Sequence, residues 1–412
     1  MGTTSTRERM AWYRELPAKG RRAFTGAFLG YGLDSYDYQV LPLALPAITV
    51  AFGLSTFQGG LLSTATLVFS ALGGVIAGIL ADRIGRVHTL TLTVLTFAVF
   101  TMLCGLAPNY ELLLLFRSLQ GIGFGGEWAT GAILIAEYTS ARHRGRVASV
   151  VQSSWAVGWG LAVLVQTALF SFLDEDVAWR VLFLTGALPA LLVFYLRRGT
   201  EDAPIHTEST QARGSLRDLF RGDLLRITVF MSLVTTGVQG GYYTLATWLP
   251  TFLSKQRGLT VVGTGGYLAF LISGAFIGYL CGGWFNDRLG RKPTIRLFAV
   301  TNAVLILLYT QLPPSANTWV MYLGFPLGFG YSAIFSGFGA YLAELYPGPV
   351  RGIGPGFTYN LGRGVGGLLP AVIGYVAGPL GIGAAMGYAA LGYVLAFFAL
   401  FGLPETRGRE LS

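Results

Sequence analysis

Asp82-Arg83-Ile84-Gly85-Arg86 stands at the end of one long apolar run, and Asp287-Arg288-Leu289-Gly290-Arg291 stands at the end of another, 205 residues later. A second pair of segments repeats at almost the same distance. Ala136-Glu137, with Arg144-Gly145 beyond it, recurs 207 residues on as Ala343-Glu344 with Arg351-Gly352. Two independent matches at nearly one offset indicate that a unit of about half the chain occurs twice.

Apolar runs long enough to cross about 30 Å of hydrocarbon surround these motifs. They fall at about 24–51, 58–81, 87–106, 111–136, 145–170 and 178–196. After a polar stretch from Arg197 to Arg226, six more fall at about 227–253, 262–285, 293–312, 318–343, 352–376 and 383–403. The basic N-terminal segment leads into an apolar run of about 27 residues, far longer than the roughly 7–15 of a signal peptide, and is read as preceding the first span. Six is an even number, so both copies enter the membrane from the same side. The fold class is therefore an all-α membrane protein of twelve transmembrane helices in two parallel six-helix repeats. Such repeats place a site between the halves and allow one half to rock against the other.

Composition agrees. Hydrophobic residues make up 53% and charged residues 12% of 412 positions, against roughly 25% charged in soluble domains. The 58 glycines suit close packing of membrane helices. Cys104 and Cys281 both lie in apolar runs, and His88, His143 and His206 are scattered, so no disulfide framework, metal site or cofactor is expected. The net charge of +9 is a matter of topology. Of 29 lysines and arginines, 24 lie in the two termini and one set of alternate connections; the opposite set holds only Arg180, Lys255 and Arg257. That asymmetry puts both termini and the central loop in the cytoplasm and argues against nucleic acid as a partner. The expected organisation is a cytoplasmic N-terminal segment (1–23), an N-terminal bundle (24–196), a cytoplasmic linker (197–226), a C-terminal bundle (227–403) and a cytoplasmic tail (404–412), in the plasma (inner) membrane.

The string Gly73-Gly74-(x)3-Gly78-(x)3-Asp82-Arg83-(x)-Gly85-Arg86, with its second copy from Gly278 to Arg291, resembles the cytoplasmic loop signature of the major facilitator superfamily. Glu201-Asp202-Ala203-Pro204 and Pro404-Glu405-Thr406-Arg407-Gly408 look like the acidic marks that close each half in its sugar and organic-acid branches. The resemblance implies the major facilitator fold and a breakable cytoplasmic gate between halves, formed by Asp82, Arg83, Arg86, Glu137 and Arg144 with Asp287, Arg288, Arg291, Glu344 and Arg351. The plainer reading is that these groups are helix-dipole partners and solvated pairs. Glycines at four-residue spacing, such as Gly74/Gly78, Gly121/Gly125, Gly278/Gly282 and Gly362/Gly366, are read as close helix contacts.

Five ionisable residues lie deep in spans: Asp34, Asp37, Arg117, Glu127 and Arg363. Each costs at least about 2.5–3.5 kcal/mol near the middle of an isolated helix, so a functional role with a nearby partner is the first reading; a buried pair that orders the bundle is the second. Asp34 and Asp37 stand at i and i+3, about a turn apart. Two carboxylates that close disfavour double ionisation, so the pair should hold a proton between them. Asp34-Ser35-Tyr36-Asp37 resembles the Asp-Gly-(Phe/Tyr)-Asp mark of aromatic-acid and sialate proton symporters, with Ser35 where Gly is usual. That resemblance implies a coupling pair of Asp37 and Arg117.

Arg117-(x)2-Gln120-Gly121-(x)-Gly123-(x)-Gly125-Gly126-Glu127-Trp128 is similar to span four of the sialate/lactate and metabolite:proton symporter branches. Glu127 lies about 15 Å along the axis from Arg117, so it is either a second relay point or a lock on the cytoplasmic half. Tyr359-Asn360-Leu361-Gly362-Arg363 is similar to the span-eleven Asn-(x)2-Arg of organic-anion symporters. A guanidinium offers a planar donor fork that suits a carboxylate, so Arg363 either anchors substrate or pairs with Glu127. Gln152, Gln239 and Tyr242, with Trp155, Trp159 and Tyr243, complete a candidate cavity.

These readings lead to a secondary transporter, not an enzyme: a proton-coupled symporter of a small organic anion of the monocarboxylate, sialate or aromatic-acid type. The expected partners are that anion, protons and membrane lipid, with the monomer as the working unit. A proton-coupled sugar or zwitterionic metabolite porter of the same fold is the alternative. A non-transporting solute sensor is a third reading, disfavoured by short tails.

Overall fold

The structure, a computed structural model, describes Tyr13 and residues 18–126, 144–187 and 215–408; within these ranges the side chains of residues 18, 19, 23, 82, 86, 87 and 144–146 are not described. Among the described residues every predicted span contains α-helix. In the first half these are α1 (Ala18–Ala51), α2 (Thr56–Ile84), α3 (Arg86–Gly105), α4 (Tyr110–Gly125), α5 (Arg144–Phe172) and α6 (Glu175–Leu184). The second half has α7 (Gly222–Thr251), α8 (Val261–Leu289), α9 (Arg291–Gln311) and α10 (Asn317–Leu345). Its eleventh span is α11 (Ile353–Gly366) followed by α12 (Leu369–Leu380). Its twelfth is α13 (Ile382–Gly387) followed by α14 (Ala389–Ala399). α1 begins six residues before the expected span, because Lys19, Arg21 and Arg22 extend the helix as a basic first turn beyond the apolar stretch.

Helix starts follow local chemistry. Ser55 caps α2 through a reciprocal box in which the Gln58 amide N–H donates to Ser55 Oγ and the Ser55 N–H donates to Gln58 Oε1. Asn109 caps α4 and Thr260 caps α8 in the same way with one bond each. The repeated Asp-Arg-x-Gly-Arg loops owe their glycine to the backbone. Gly85 at φ 89° and Gly290 at φ 103° turn α2 into α3 and α8 into α9, a conformation that side chains with a Cβ rarely adopt.

Packing in one half recurs in the other. α1 lies on α5 and α2 on α4; correspondingly α7 lies on α11 and α8 on α10. The halves meet where α5 packs on α8, α2 on α11 and α12, and α1 on α7. Close glycine contacts make the tight pairs possible: Gly121 lies against the Thr66 carbonyl and Gly278 against Phe329. Gly78 departs from the expectation, since its missing Cβ faces open space. Arg180 and Arg257, which broke the charge asymmetry, each clamp the end of a helix. Arg180 donates to the Gly105 and Ala107 carbonyls at the end of α3, and Arg257 to the Leu312 and Pro313 carbonyls beyond α9. A cation at a helix C-terminus is favourable.

Large apolar side chains stand outward, among them Leu164 at 69% and Phe172 at 87% exposure, a surface suited to lipid. Seven spans among the described residues are long and apolar enough to cross a membrane. α1, α7 and α10 are not among them. These helices carry their polar and aromatic residues inward, and the site is built there.

Candidate substrate and coupling site

A small central cavity of about 20 Å³, room for roughly one water, lies between the halves. Its wall is aromatic: Tyr31 from α1, Phe124 from α4, Trp155 from α5, Tyr242 and Tyr243 from α7, Tyr279 from α8, Phe335 from α10 and Tyr359 from α11. Two ionisable side chains reach it, Asp34 and Arg363. The rings are braced against one another. The Trp155 Nε1–H donates to Tyr242 Oη at 2.6 Å, and Tyr242 meets Tyr331 and Phe335 with centroids 5.0 and 5.5 Å apart.

Arg363 is 3% exposed. Its guanidinium carbon lies 5.2 Å from the Phe124 ring centroid and 5.0 Å from that of Tyr359, a cation–π cradle. The Tyr243 and Tyr359 hydroxyls also face it. Its Nε and Nη1 have no hydrogen-bond partner among the described residues. A buried cation with free donors at a cavity wall is costly on its own and is suited to receive an anion.

Asp34 and Asp37 diverge. Three residues of helix leave them about 60° apart around the axis, enough to send Asp34 to the central cavity and Asp37 to the seam between α1, α3 and the turn Thr185–Ala187. There Asp37 faces Gly186, where a Cβ would sit 3.0 Å from Oδ1. Arg117, 0% exposed, is joined to Asp37 through two neutral side chains. Arg117 Nη1 donates to Gln120 Oε1 at 2.5 Å, Gln120 Nε2 donates to Thr101 Oγ1 at 2.7 Å, and Thr101 Oγ1 stands 3.2 Å from Asp37 Oδ2. The same hydroxyl lies 2.8 Å from the Phe97 carbonyl. It has one proton, so it donates to Phe97 or to Asp37 but not to both. Arg117 Nε and Nη2 have no partner among the described residues.

Of the remaining predicted residues, Trp155, Tyr242 and Tyr243 line the cavity. Gln239 sits behind it, donating to the Tyr359 carbonyl at 2.9 Å. Gln152 reaches the Phe335 carbonyl at 3.4 Å. Asn360 donates to the Gly356 carbonyl and packs against Gly74 of α2, at the contact between halves. These three hold cavity walls in place without forming them. Sequence reasoning missed Thr101, Tyr31, Tyr279 and Phe335, because a threonine or an aromatic in an apolar helix is ordinary. Gln120 had a signal: it stands three residues from Arg117, on the same face.

At the Asp287 loop the gate residues form a cluster inside the second half. Arg291 donates to Asp287 and, through Nε and Nη2, to both oxygens of Glu344. Glu405 accepts the Arg291 and Lys292 backbone N–H groups, and Thr406 Oγ1 bonds Glu344 at 2.6 Å. Arg288 lies over the Trp284 ring, and Arg351 donates to the Tyr346 carbonyl. Among the described residues these contacts lie within the second half. Arg83 is exposed. Glu127 and Glu137 lie outside the described residues, as do the side chains of Asp82, Arg86 and Arg144.

Residues 27–371 match the Major Facilitator Superfamily. The chain belongs to that superfamily. It is similar to a protein of Cupriavidus pinatubonensis named "Probable 4-methylmuconolactone transporter", 38% identical over 403 residues and covering 97% of this chain and 94% of the relative. A cis,cis-muconate transport protein of Acinetobacter baylyi is 29% identical over 373 residues, covering 88% of this chain and 89% of its own. Among solved structures, a D-xylose-proton symporter superposes with a TM-score of 0.78 at 18% identity, over 95% of this chain and 99% of that one. The major facilitator chain described here is a secondary transporter and a multi-pass protein of the cell membrane, not an enzyme.

Proposed function

We propose that this transporter is a proton-coupled symporter of a small organic anion. It works by alternating access between two six-helix halves whose termini are cytoplasmic. The observation that carries the reading is Arg363: a buried guanidinium whose Nε and Nη1 have no hydrogen-bond partner among the described residues, at the wall of a cavity lined by aromatic rings. A planar carboxylate fits both features, accepting from the fork while its carbon skeleton lies among the rings. The relatives named for muconate and methylmuconolactone support an unsaturated acid of modest size.

Coupling is assigned to the chain Asp37–Thr101–Gln120–Arg117. With Asp37 protonated, the Thr101 hydroxyl is free to serve the Phe97 carbonyl. When the proton leaves, the hydroxyl turns to the carboxylate, and Arg117 has two donors left with which to stabilise the new charge. A cavity of about 20 Å³ is too small for an organic acid, so substrate fits only when the α5/α8 and α2/α11 seams part. A second reading rests on Asp34, which shares the cavity with Arg363. One carboxylate and one guanidinium would also suit a zwitterion or a polyol.

An uptake screen in proteoliposomes separates the two. Labelled lactate, sialate and benzoate-type acids, a zwitterionic ring acid and a sugar are each offered with and without an imposed pH step. The proposal expects acid-stimulated uptake of a carboxylate. Uptake of the sugar or zwitterion alone would shift the assignment to the second reading.

A further inference from the structure

A second cavity lies remote from the central site. It is a groove of about 650 Å³ on the outer face of the second half, between α9 and the α13–α14 pair. Small residues, including Ala303, Ala384 and Gly387, form its floor, and larger ones such as Val300, Leu391 and Phe398 stand exposed along its rim. It runs from Ala299 to Gln311 on α9. Twelve residues of helix span about 18 Å, a little more than half of the roughly 30 Å hydrocarbon core. The groove is thus the length of one leaflet.

Its Ala299 end, toward the Asp287 loop, carries positive charge. One turn beyond Val300, the Arg296 guanidinium lies 3.9 Å from the centroid of the Phe401 ring, and its buried Nε has no hydrogen-bond partner among the described residues. Arg296 and Arg226 are both within electrostatic reach of Lys292, as is one carboxylate, Glu405. That carboxylate is occupied by backbone N–H groups of Arg291, Lys292, Thr406 and Arg407. Around Lys292, whose Nζ donates to the Leu403 carbonyl, two further cations and one committed carboxylate therefore gather on the Asp287-loop side of the groove.

The geometry points to a binding site for an anionic phospholipid of the cytoplasmic leaflet, with one acyl chain in the groove and its phosphate on Arg296. Guanidinium forks favour phosphate oxygens, and basic pockets at this depth suit anionic headgroups. A second copy of the chain fits less well, because a two-fold contact would set concave surface against concave surface and leave a void.

The test is native mass spectrometry and thermal unfolding of the full chain in detergent. Phosphatidylglycerol, phosphatidylcholine or inorganic phosphate is added to the wild type, to Arg296→Gln and to Ala303→Leu. The site predicts that phosphatidylglycerol remains bound and raises the unfolding midpoint by a few degrees, while phosphatidylcholine and phosphate do so far less. Each variant should weaken apparent phosphatidylglycerol affinity at least tenfold, one by removing the headgroup contact and the other by filling the floor. If Ala303→Leu does not fold, Arg296→Gln alone decides the matter. Equal effects of the two lipids, an unchanged response in Arg296→Gln, or a lipid-free dimer each overturn the proposal.

Discussion

Asp37 and Arg117 are joined through two side chains: a glutamine and a threonine stand between the carboxylate and the guanidinium, every link within 3.2 Å. A direct pair at 0–1% exposure would be strong enough in a low-dielectric interior to resist separation. On the proposed coupling, a relay of neutral groups would let Arg117 respond to the charge on Asp37 and still release it.

The intermediate links should therefore matter as much as the ends. Gln120→Leu removes the hydrogen bond that Arg117 Nη1 donates. A bond to a charged group contributes about 1.5–3 kcal/mol, so this variant should lose pH-gradient-driven uptake by tenfold or more. Thr101→Val, which keeps the shape of the side chain, should do the same, and because it orphans the buried Gln120 Nε2 donor it should also cost about 1–3 kcal/mol of stability. Transport assays with and without the gradient, alongside thermal unfolding, check both.

Arg363→Lys keeps the charge and loses the fork. Replacing two parallel donors by one rotating ammonium should raise the KM for the transported acid at least tenfold, a loss of about 1.4 kcal/mol or more. Initial-rate uptake as a function of substrate concentration measures it. An unchanged KM would remove Arg363 from the anion site.

Tyr242→Phe leaves the buried Trp155 N–H without its 2.6 Å partner. The cost of an orphaned buried donor is about 1–3 kcal/mol, to be read as a lower unfolding midpoint in the absence of substrate. Trp155→Phe together with Tyr242→Phe should recover part of that loss, because the double variant leaves no orphan.

The Asp287 loop carries its own pH dependence. Burial works to raise the Glu405 carboxyl, but the backbone N–H groups of Arg291, Lys292, Arg407 and Thr406 outweigh it and hold the group below the usual carboxylate range. A depressed folded-state value means stabilisation that is present above the unfolded value and lost as pH falls through the folded one. Glu405→Gln should thus be less stable than wild type at pH 7. The two unfolding curves should converge as the medium is acidified below the ordinary carboxylate range.

What the sequence made legible was decided by hydrocarbon. Twelve apolar runs and the doubled Asp-Arg-x-Gly-Arg loop located the helices, because length and charge are strongly constrained in a bilayer and because Gly85 and Gly290 need a positive φ. The stranded charges Asp34 and Arg363 located the cavity for the same reason. Direction around a helix was much less legible. Asp34 and Asp37 are neighbours in sequence yet face different seams, and Gln152, Gln239 and Asn360 support the wall from behind. Thr101 could not be singled out at all, since its role exists only through its contact with Asp37 and Gln120 from two other helices. The gate residues were recognised by type, but Arg291 spends its bonds on Asp287 and Glu344 within its own half.

The most direct test of the account is the uptake of the transported carboxylate into proteoliposomes under an imposed pH step, measured for the wild type and for Asp37→Asn. The account predicts that the wild type accumulates the acid above its external concentration. Asp37→Asn should still exchange labelled for unlabelled acid but no longer concentrate it. Gradient-driven accumulation that survives in Asp37→Asn would contradict the assignment of Asp37 as the proton carrier.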